Sequence, residues 1–138
     1  MRLAPVEDAY VNITWPLIEK YVEEAITLGD PGITLYTIDH IRSYVTSGQW
    51  LLLVGVDEQN EIHGAMVISF QNYPFHRVAT IAYLGGKGMS SPEIVEQLKV
   101  IVKMKGATVL QALARSSMVR LSKRHKFKPR NTLVEVLL

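Results

Sequence analysis

The sequence predicts an α/β or α+β domain, in which helices pack against a mixed sheet. Residues 50–84 contain three apolar or β-branched runs separated by two polar turns, which is the pattern of a three-stranded meander. Residues 77–106 then read as a strand, a glycine loop and a helix, and a further strand follows. A meander that leads into a strand–helix–strand unit argues against a doubly wound sheet.

The first third of the chain predicts one strand and two helices. Met1 to Pro5 is expected to form a short strand that ends at the proline. Residues 7–28 carry apolar residues at helical spacing, and Pro16 must lie near the start of this helix or kink it, so the helix is expected to begin at Thr14 to Pro16. A second short helix is capped by Thr37 or Asp39 and runs to about residue 47.

The meander itself is bounded by polar turns. Residues 50–56 are almost wholly apolar and predict a buried central strand. The turn at 57–61 leads to a second strand at 62–70, and the turn at 71–74 leads to a third strand at 75–84.

The helix after the glycine loop has clear start and stop signals. Ser91 is a suitable N-cap, Pro92 fits the first helical position and Glu93 suits the positive end of the helix dipole. Gly106 ends the helix. The apolar residues at helical spacing between these signals are Ile94, Leu98, Ile101 and Val102.

The last elements are predicted as a strand, a helix and a strand. Thr108 to Leu113 has a strand composition, and Ser116 or Ser117 is expected to cap a helix that ends by Lys126. Thr132 to Leu138 is expected to form a terminal strand. The length of 138 residues and the absence of linkers predict a single domain over residues 1–138.

Composition excludes several classes of chemistry. The chain contains no cysteine, so disulfides, cysteine-ligated metals and thiol catalysis are excluded. The four histidines are scattered, which argues against a zinc site, and we expect no metal. No apolar run approaches the roughly 20 residues that span a bilayer, and no signal-peptide pattern is present, so we expect a soluble cytoplasmic protein without a membrane partner.

Charge is divided unevenly along the chain. The net charge is +2, but the part from Lys87 onward has 11 Lys+Arg and 3 Asp+Glu, a net of +8. The part before Lys87 has 4 Lys+Arg and 10 Asp+Glu, a net charge of −6. This asymmetry indicates a site for a phosphorylated ligand or a polyanion, whereas single charges taken alone are best explained as a solvated surface.

The glycine loop is the strongest chemical signal. Gly85, Gly86 and Gly88 lead directly into the N-terminus of a helix, where unpaired N–H groups and the helix dipole favour an anion, and Lys87 adds a positive charge. A phosphate or pyrophosphate group is the expected ligand. The alternative is a tight turn that binds nothing. The Walker loop does not fit, because no Lys-Ser/Thr pair follows the glycines at the required spacing. The G-x-G-x-x-G fingerprint is not completed either, since Ser91 stands where its third glycine would be.

This loop resembles the acyl-CoA pyrophosphate loop of the GNAT (GCN5-related N-acetyltransferase) superfamily, whose motif is Arg/Gln-x-x-Gly-x-Gly/Ala. Gly86 and Gly88 match the motif, and Tyr83 stands where arginine or glutamine is usual. The resemblance implies a GNAT-like mixed, largely antiparallel central sheet of six to seven strands flanked by about four helices. It also implies that the fourth and fifth strands splay apart, so that acyl-CoA lies between them.

A second stretch, at residues 116–127, resembles the late helix of the family, which often ends in Leu-Tyr-x-x-x-Gly-Phe. Leu121 and Phe127 match this pattern. Ser122 replaces the tyrosine and Lys126 replaces the glycine.

The resemblance assigns roles to particular residues. Acetyl-CoA is the implied co-substrate and an amine the acceptor. Ser122 occupies the place of the family's tyrosine acid, although serine is a far weaker proton donor than tyrosine. Tyr83 is a second catalytic candidate, either as an acid or simply as part of the core. His63 and His76 remain as candidates for the base, with a structural role favoured for each. Ser117 lies near a position at which the family contacts the cofactor, but a structural role as the N-cap of the late helix is favoured for it. The implied cofactor-binding residues are Leu84, Gly85, Gly86, Lys87, Gly88, Met89, Ser90, Ser117 and Lys123.

Two functions stay open on these grounds. The first is a small N-acyltransferase that transfers an acetyl group from acetyl-CoA to an amine. The second is a catalytically degenerate GNAT-like binding or structural module, because short divergent chains of this family occur in phages, including as virion components, and this chain resembles them. A homodimer or another protein partner is compatible with both. Nucleic-acid binding is disfavoured, since Phe127 is the only aromatic residue near the late basic run.

Overall fold

The computed structural model describes residues 1–28, 34–113 and 123–138. These residues form five β-strands, three α-helices and two 3-10 turns. The strands are β1 (Arg2–Val6), β2 (Leu51–Val56), β3 (Ile62–Asn72), β4 (Arg77–Gly86) and β5 (Val109–Ala112). The α-helices are α1 (Val11–Leu28), α2 (Ile38–Thr46) and α3 (Pro92–Met104), and the 3-10 turns are Asp8–Tyr10 and Lys123–His125.

The five strands form one sheet in the order β1-β2-β3-β4-β5. The first four strands pair antiparallel with their neighbours. Strands β4 and β5 are parallel, with α3 as the crossover between them. The predicted meander and the predicted strand–helix–strand unit are therefore both confirmed, as is the mixed, largely antiparallel character of the sheet.

Both faces of the sheet are covered by helices. Leu52 and Val54 of β2 pack in one core with α1 and α2, whereas Leu53 packs in a second core with α3. Strand β2 is therefore buried on both sides, which explains why its sequence is a continuous apolar run rather than an alternating one.

Helix α3 begins and ends where the sequence predicts. The Ser91 side chain accepts a hydrogen bond from the amide of Ile94 at 3.4 Å, and Pro92 occupies the first turn. Gly106 follows the helix with φ of +88°, a left-handed conformation that glycine adopts without strain. These local signals fix the position of the helix N-terminus relative to the glycine loop.

Helix α1 begins at Val11, which is earlier than the sequence predicts, and Pro16 lies inside it. A 3-10 turn precedes the helix, with the amide of Tyr10 donating to the carbonyl of Glu7 at 2.8 Å. Val11 and Trp15 are fully buried against the sheet. Burial of these two side chains outweighs the hydrogen bond that Pro16 cannot donate, because packing supplies most helix stability in proteins.

The sheet is smaller than the six to seven strands expected, and three α-helices are described rather than about four. Residues 132–138, predicted as a terminal strand, lie outside the sheet with exposed apolar side chains. Strand propensity describes a residue's fit to a sheet, but it does not supply the partner that a strand needs. Most of the predicted late helix falls on residues 114–122, outside the described residues, and Lys123–His125 is a 3-10 turn.

We predict that Gly85→Ala strongly destabilises the fold. A Cβ atom at Gly85 meets the backbone carbonyl of Tyr21 on α1, so helix and strand must separate, at a cost of about 3 kcal/mol or more in the free energy of unfolding. Gly88→Ala is the matched control, because a Cβ there meets only the tip of Met1 and costs the left-handed strain alone, about 1–2 kcal/mol. Urea unfolding compares the two. Equal losses would contradict the prediction.

Candidate functional site

The candidate site lies where β4 continues beyond its parallel partner. Pairing between β4 and β5 runs from Val78↔Val109 to Ile81↔Ala112, whereas β4 itself extends to Gly86. Among the described residues, no strand pairs with this edge of residues 82–86. Because alternate residues of a paired strand direct their backbone groups to opposite edges, about half of the N–H and C=O groups of this segment point away from β3.

A β-bulge marks the start of this unpaired segment. The register between β3 and β4 passes from Val67↔Tyr83 to Ile68↔Ile81, which leaves Ala82 as the extra residue. Because of the bulge, Ala82 and Tyr83 both pack toward the core beneath α1, while Ile81 and Leu84 pack toward α3. Leu84, a predicted cofactor-binding residue, is thus half-buried at this edge of β4.

The loop after β4 turns directly into α3. Gly86 and Gly88 have φ of +102° and +77°, and the amide of Ser91 donates to the carbonyl of Gly88 at 3.2 Å. No described residue accepts a backbone hydrogen bond from the amides of Gly88, Met89 or Ser90. These amides, together with the first turn of α3, form a concentration of N–H donors that suits an anion.

The three glycines of the loop are required for different reasons. Gly85 lies against the backbone of Tyr21 on α1, and Gly86 lies against the carbonyl of His63 on β3, so neither position has room for a side chain. A Cβ at Gly88 meets only the terminal carbon of Met1, at 3.0 Å. Packing therefore explains Gly85 and Gly86, and of the three only Gly88 has space for a ligand beside its backbone.

Met89 anchors the loop. Its side chain is buried against Gly55 of β2 and Gly64 of β3, where a Cβ on either glycine would collide with it. The sequence assigned Met89 to cofactor binding; its side chain belongs to the core, which leaves only its backbone for that role. The two strand glycines create the recess that holds the loop in position.

The N-terminal strand braces the start of α3. Gln97 Oε1 accepts from the amide of Leu3 at 2.8 Å, and Gln97 Nε2 donates to the carbonyl of Met1 at 3.2 Å. The amino group of Met1 lies 3.6 Å from Glu93 Oε2. No local sequence pattern indicates these contacts, since the partners lie more than 90 residues apart.

Tyr83, a predicted catalytic residue, is half-buried beside the bulge. Burial raises the pKa of the Tyr83 phenol above its usual range, and the neighbouring Tyr36 adds to the shift. No described residue forms a hydrogen bond with the Tyr83 hydroxyl. The phenol therefore keeps its proton at neutral pH, and the raised pKa makes it a weaker proton donor than an exposed tyrosine.

The structure brings His63, but not His76, to the loop. His63 is the bulged residue of β3 next to Gly86, and its Nε2 lies 2.6 Å from Asp57 Oδ2. His76 lies at the other end of β4, where its Nδ1 contacts Thr108 Oγ1 at 2.9 Å. Gly86 and Ala82 are four positions, about 13 Å, apart along β4. His63 therefore lies near the glycine loop and not near the bulge at Ala82.

The remaining predicted site residues are unevenly described. Lys87 and Ser90 are exposed in the loop, in agreement with a binding role. Ser117 and Ser122 lie outside the described residues, and Lys123 is the first residue of a 3-10 turn. No group of three or more potential ligands among the described residues is arranged to hold a metal ion. None of the described helices is both long and apolar enough to cross a membrane.

The fold is shared with acetyltransferases. An aminoglycoside acetyltransferase from an uncultured soil metagenomic sample superposes with a TM-score of 0.70 at 14% identity, covering 99% of this chain and 97% of that one. An acetyltransferase of Trypanosoma brucei gives 0.63 at 12% identity, with 99% of each chain covered. A predicted acetyltransferase of Clostridium acetobutylicum, solved with acetyl-CoA, gives 0.63 at 12% identity, with 99% and 95% covered.

No protein-family model and no curated protein sequence matches the chain. The likeness to solved structures, at 12–14% identity, therefore shows a GNAT-like fold and not an activity.

We predict that Asp57→Asn reduces the loss of stability at acid pH. The hydrogen bond to His63 lowers the pKa of the Asp57 carboxyl, and the amide of Glu61 adds to the effect. A lowered pKa in the folded state stabilises the fold above pH about 4 and loses that contribution as pH falls through the folded value. Urea midpoints at pH 7 and pH 3 should thus differ less in Asp57→Asn than in the wild type. Glu58→Gln, in the same turn, should leave the difference unchanged; an unchanged difference in Asp57→Asn would refute the assignment.

Proposed function

We infer that this protein is an acyl-CoA-dependent N-acyltransferase that transfers an acetyl group from acetyl-CoA to an amine. The observation that carries the proposal is the edge of β4 at residues 82–86, with which no described strand pairs and which leads without interruption into a loop of N–H donors at the start of α3. An extended ligand with a pyrophosphate at one end fits such a strand edge followed by an anion site.

The loop would hold the pyrophosphate of the co-substrate through its backbone. The amides of Gly88, Met89 and Ser90 are the donors, and Gly88 offers the space for close approach. Lys87, exposed in the same loop, supplies a positive charge. Met89 holds these donors in place because its side chain is locked in the core.

The acyl transfer itself needs an electrophile, an oxyanion donor, a proton donor and a proton acceptor. The amine nitrogen forms a bond to the thioester carbonyl carbon and the carbon–sulfur bond breaks. The thiolate takes the proton of the Tyr83 hydroxyl, and the proton that the amine loses passes through water to restore that hydroxyl. A backbone N–H of the unpaired segment near Leu84 would stabilise the oxyanion. Tyr83, which keeps its proton, would donate to the thiolate.

A shallow cavity offers a place for the acceptor. It has a volume of about 340 Å³ and lies between α1 and the segment before α2, lined in part by Glu23, Thr27, Thr34 and Tyr36. Tyr36 also neighbours Tyr83, so the cavity is on the same face of the sheet as the proposed acid. The Glu23 carboxylate among hydroxyl groups suits a cationic amine. One structurally similar aminoglycoside acetyltransferase, at 11% identity, was solved in complex with sisomicin.

A second candidate, a GNAT-like binding or structural module without turnover, is favoured by two observations. The terminal carbon of Met1 lies beside Gly88, and the carboxylate of Glu93 lies in the first turn of α3, where it competes with an anionic ligand. Titration calorimetry of the purified chain with acetyl-CoA separates the two candidates. Micromolar binding supports the acyltransferase, and no heat at millimolar acetyl-CoA would leave the binding module.

We predict that Gly88→Leu weakens acetyl-CoA binding at least tenfold while the protein stays folded. The added side chain occupies the space through which the phosphates approach the loop amides. Gly106→Leu is the matched control, because it has the same left-handed backbone, φ of +88°, but lies at the far end of α3. Calorimetry measures both dissociation constants. Equal constants in Gly88→Leu and the wild type would remove the loop from the binding site.

We predict that Tyr83→Phe lowers turnover by about 100-fold and leaves the dissociation constant of acetyl-CoA unchanged, because only the proton donor is lost. Thiol release with a panel that includes an aminoglycoside and a polyamine measures turnover. Tyr73→Phe, on the exposed turn after β3, is the control. Full turnover in Tyr83→Phe would reject Tyr83 as the acid.

A further inference from the structure

The turn between β3 and β4 exposes two aromatic side chains on a firm support. Phe75 exposes 89% of its surface and Tyr73 exposes 55%. The amide of Tyr73 donates to the carbonyl of His76 at 2.8 Å, which closes the turn. The His76 ring lies edge-on to the Phe75 ring at 5.1 Å, and its Nδ1 contacts Thr108 Oγ1 at 2.9 Å. Contacts within the fold therefore hold Phe75 in an exposed position.

This turn projects beyond the neighbouring part of the sheet. Pairing of β3 with β4 continues to Asn72↔Arg77, whereas pairing of β2 with β3 ends at Leu51↔Ile68. Strands β3 and β4 thus extend past β2 as a two-stranded ribbon by four positions, about 13 Å. Phe75 lies in the turn that closes this ribbon, so a surface that approaches this end of the sheet can contact it without obstruction from β2.

Positive charges lie directly behind the turn. Arg77 Nε donates to the carbonyl of Lys105 at 3.1 Å, which brings the end of α3 against the base of the ribbon. Lys103 and Lys105 are exposed there. Segments 71–77 and 103–108 together contain three Lys+Arg and no Asp or Glu. No salt bridge within the described part of the chain involves any of these three cations. This end of the domain therefore presents an unneutralised positive surface.

The order of these groups matches the layers of a membrane surface. A phenyl ring lies at the tip, a tyrosine lies beside it, and the cations lie behind both. In a bilayer, aromatic rings occupy the interface and lipid phosphates attract lysine and arginine next to it. Met104, between the two lysines, exposes 82% of its surface and adds apolar area. A single-stranded nucleic acid would instead require cations along a groove with the rings among them.

The sequence gave no membrane partner because it has no apolar run long enough to span a bilayer and no signal-peptide pattern. A peripheral contact needs neither of these features, since it rests on a few inserted apolar side chains and on attraction to anionic lipid. The cations and the aromatic tip come from segments about 30 residues apart, so only the folded chain brings them together.

We propose that the turn at residues 73–76, together with Lys103 and Lys105, docks this protein peripherally on a membrane that contains anionic lipid, with the Phe75 ring inserted at the headgroup boundary. Strand β4 runs from Arg77 to Gly86, so about 30 Å separate this turn from the glycine loop. The loop then faces away from the lipid, and docking does not depend on acyl-CoA binding.

Sedimentation of the full chain with phosphatidylcholine vesicles, with and without about 30% phosphatidylserine, at about 0.1 M salt tests the proposal. We expect binding to the anionic vesicles, at least fivefold weaker binding to the neutral ones, and release at about 0.5 M salt. Phe75→Ser should weaken binding to anionic vesicles at least fivefold, and so should Lys103→Gln with Lys105→Gln. Circular dichroism verifies that each variant is folded.

Matched controls remove the same kinds of group elsewhere. Ile13→Ser replaces an exposed apolar side chain of α1 and should bind like the wild type. Arg2→Gln with Lys20→Gln removes two exposed cations and should also leave binding unchanged. If these controls weaken binding as much as the turn variants do, the attraction is a property of net charge or general apolarity, and the proposal fails.

Fluorescence distinguishes insertion of the tip from adsorption of the protein. The emission of Phe75→Trp should shift to shorter wavelength on addition of anionic vesicles, whereas that of Tyr10→Trp, at an exposed position before α1, should not. No vesicle binding, or no shift in Phe75→Trp, overturns the proposal. Binding of a single-stranded oligonucleotide that is lost in the same turn variants, without vesicle binding, would assign this surface to a nucleic acid instead.

Discussion

Helix α1 and strand β4 touch backbone to backbone, with the main chain of Tyr21 lying directly on Gly85. This contact sets the distance between α1 and the sheet at the C-terminal end of β4, where the glycine loop begins. It also keeps the helix close enough to bury Trp15, Ile18 and Val22 in the core that it shares with β2. Any side chain at Gly85 would raise the helix from the sheet, so the position of α1 and the shape of the strand end depend on one missing Cβ atom.

The second constraint is the unequal pairing of β4. One edge is bonded to β3 along its whole length, whereas the other is bonded to β5 only as far as Ile81. The paired edge makes the strand rigid, and on the other edge no described residue pairs with the backbone of residues 82–86. Met89, held over Gly55 and Gly64, fixes the loop that follows. A rigid strand with one open edge and an anchored loop is a suitable scaffold for an extended ligand, because its donors are preorganised.

Prediction from sequence succeeded where the signal is local. Ser91, Pro92 and Gly106 define α3 because caps act within one helical turn. At the glycine loop, the same reasoning was incomplete. Sequence treats Gly85, Gly86 and Gly88 alike, but two of them are explained by contacts with Tyr21 and His63, which are 64 and 23 residues distant in the chain. No local pattern carries such information, since the clash involves atoms from another element.

The sequence by itself determined the order of elements from β1 to β5, the meander, the polar turns and the N-terminus of α3, since these depend on the period of apolar residues and on capping within a few positions. Only the tertiary structure decided that no described strand pairs with β4 beyond Ile81 on the side of β5, that burial beside Tyr36 raises the pKa of Tyr83, and that residues 132–138 stay outside the sheet. Each of these features depends on which distant residues come into contact, and a strand pattern specifies a conformation without specifying its partner.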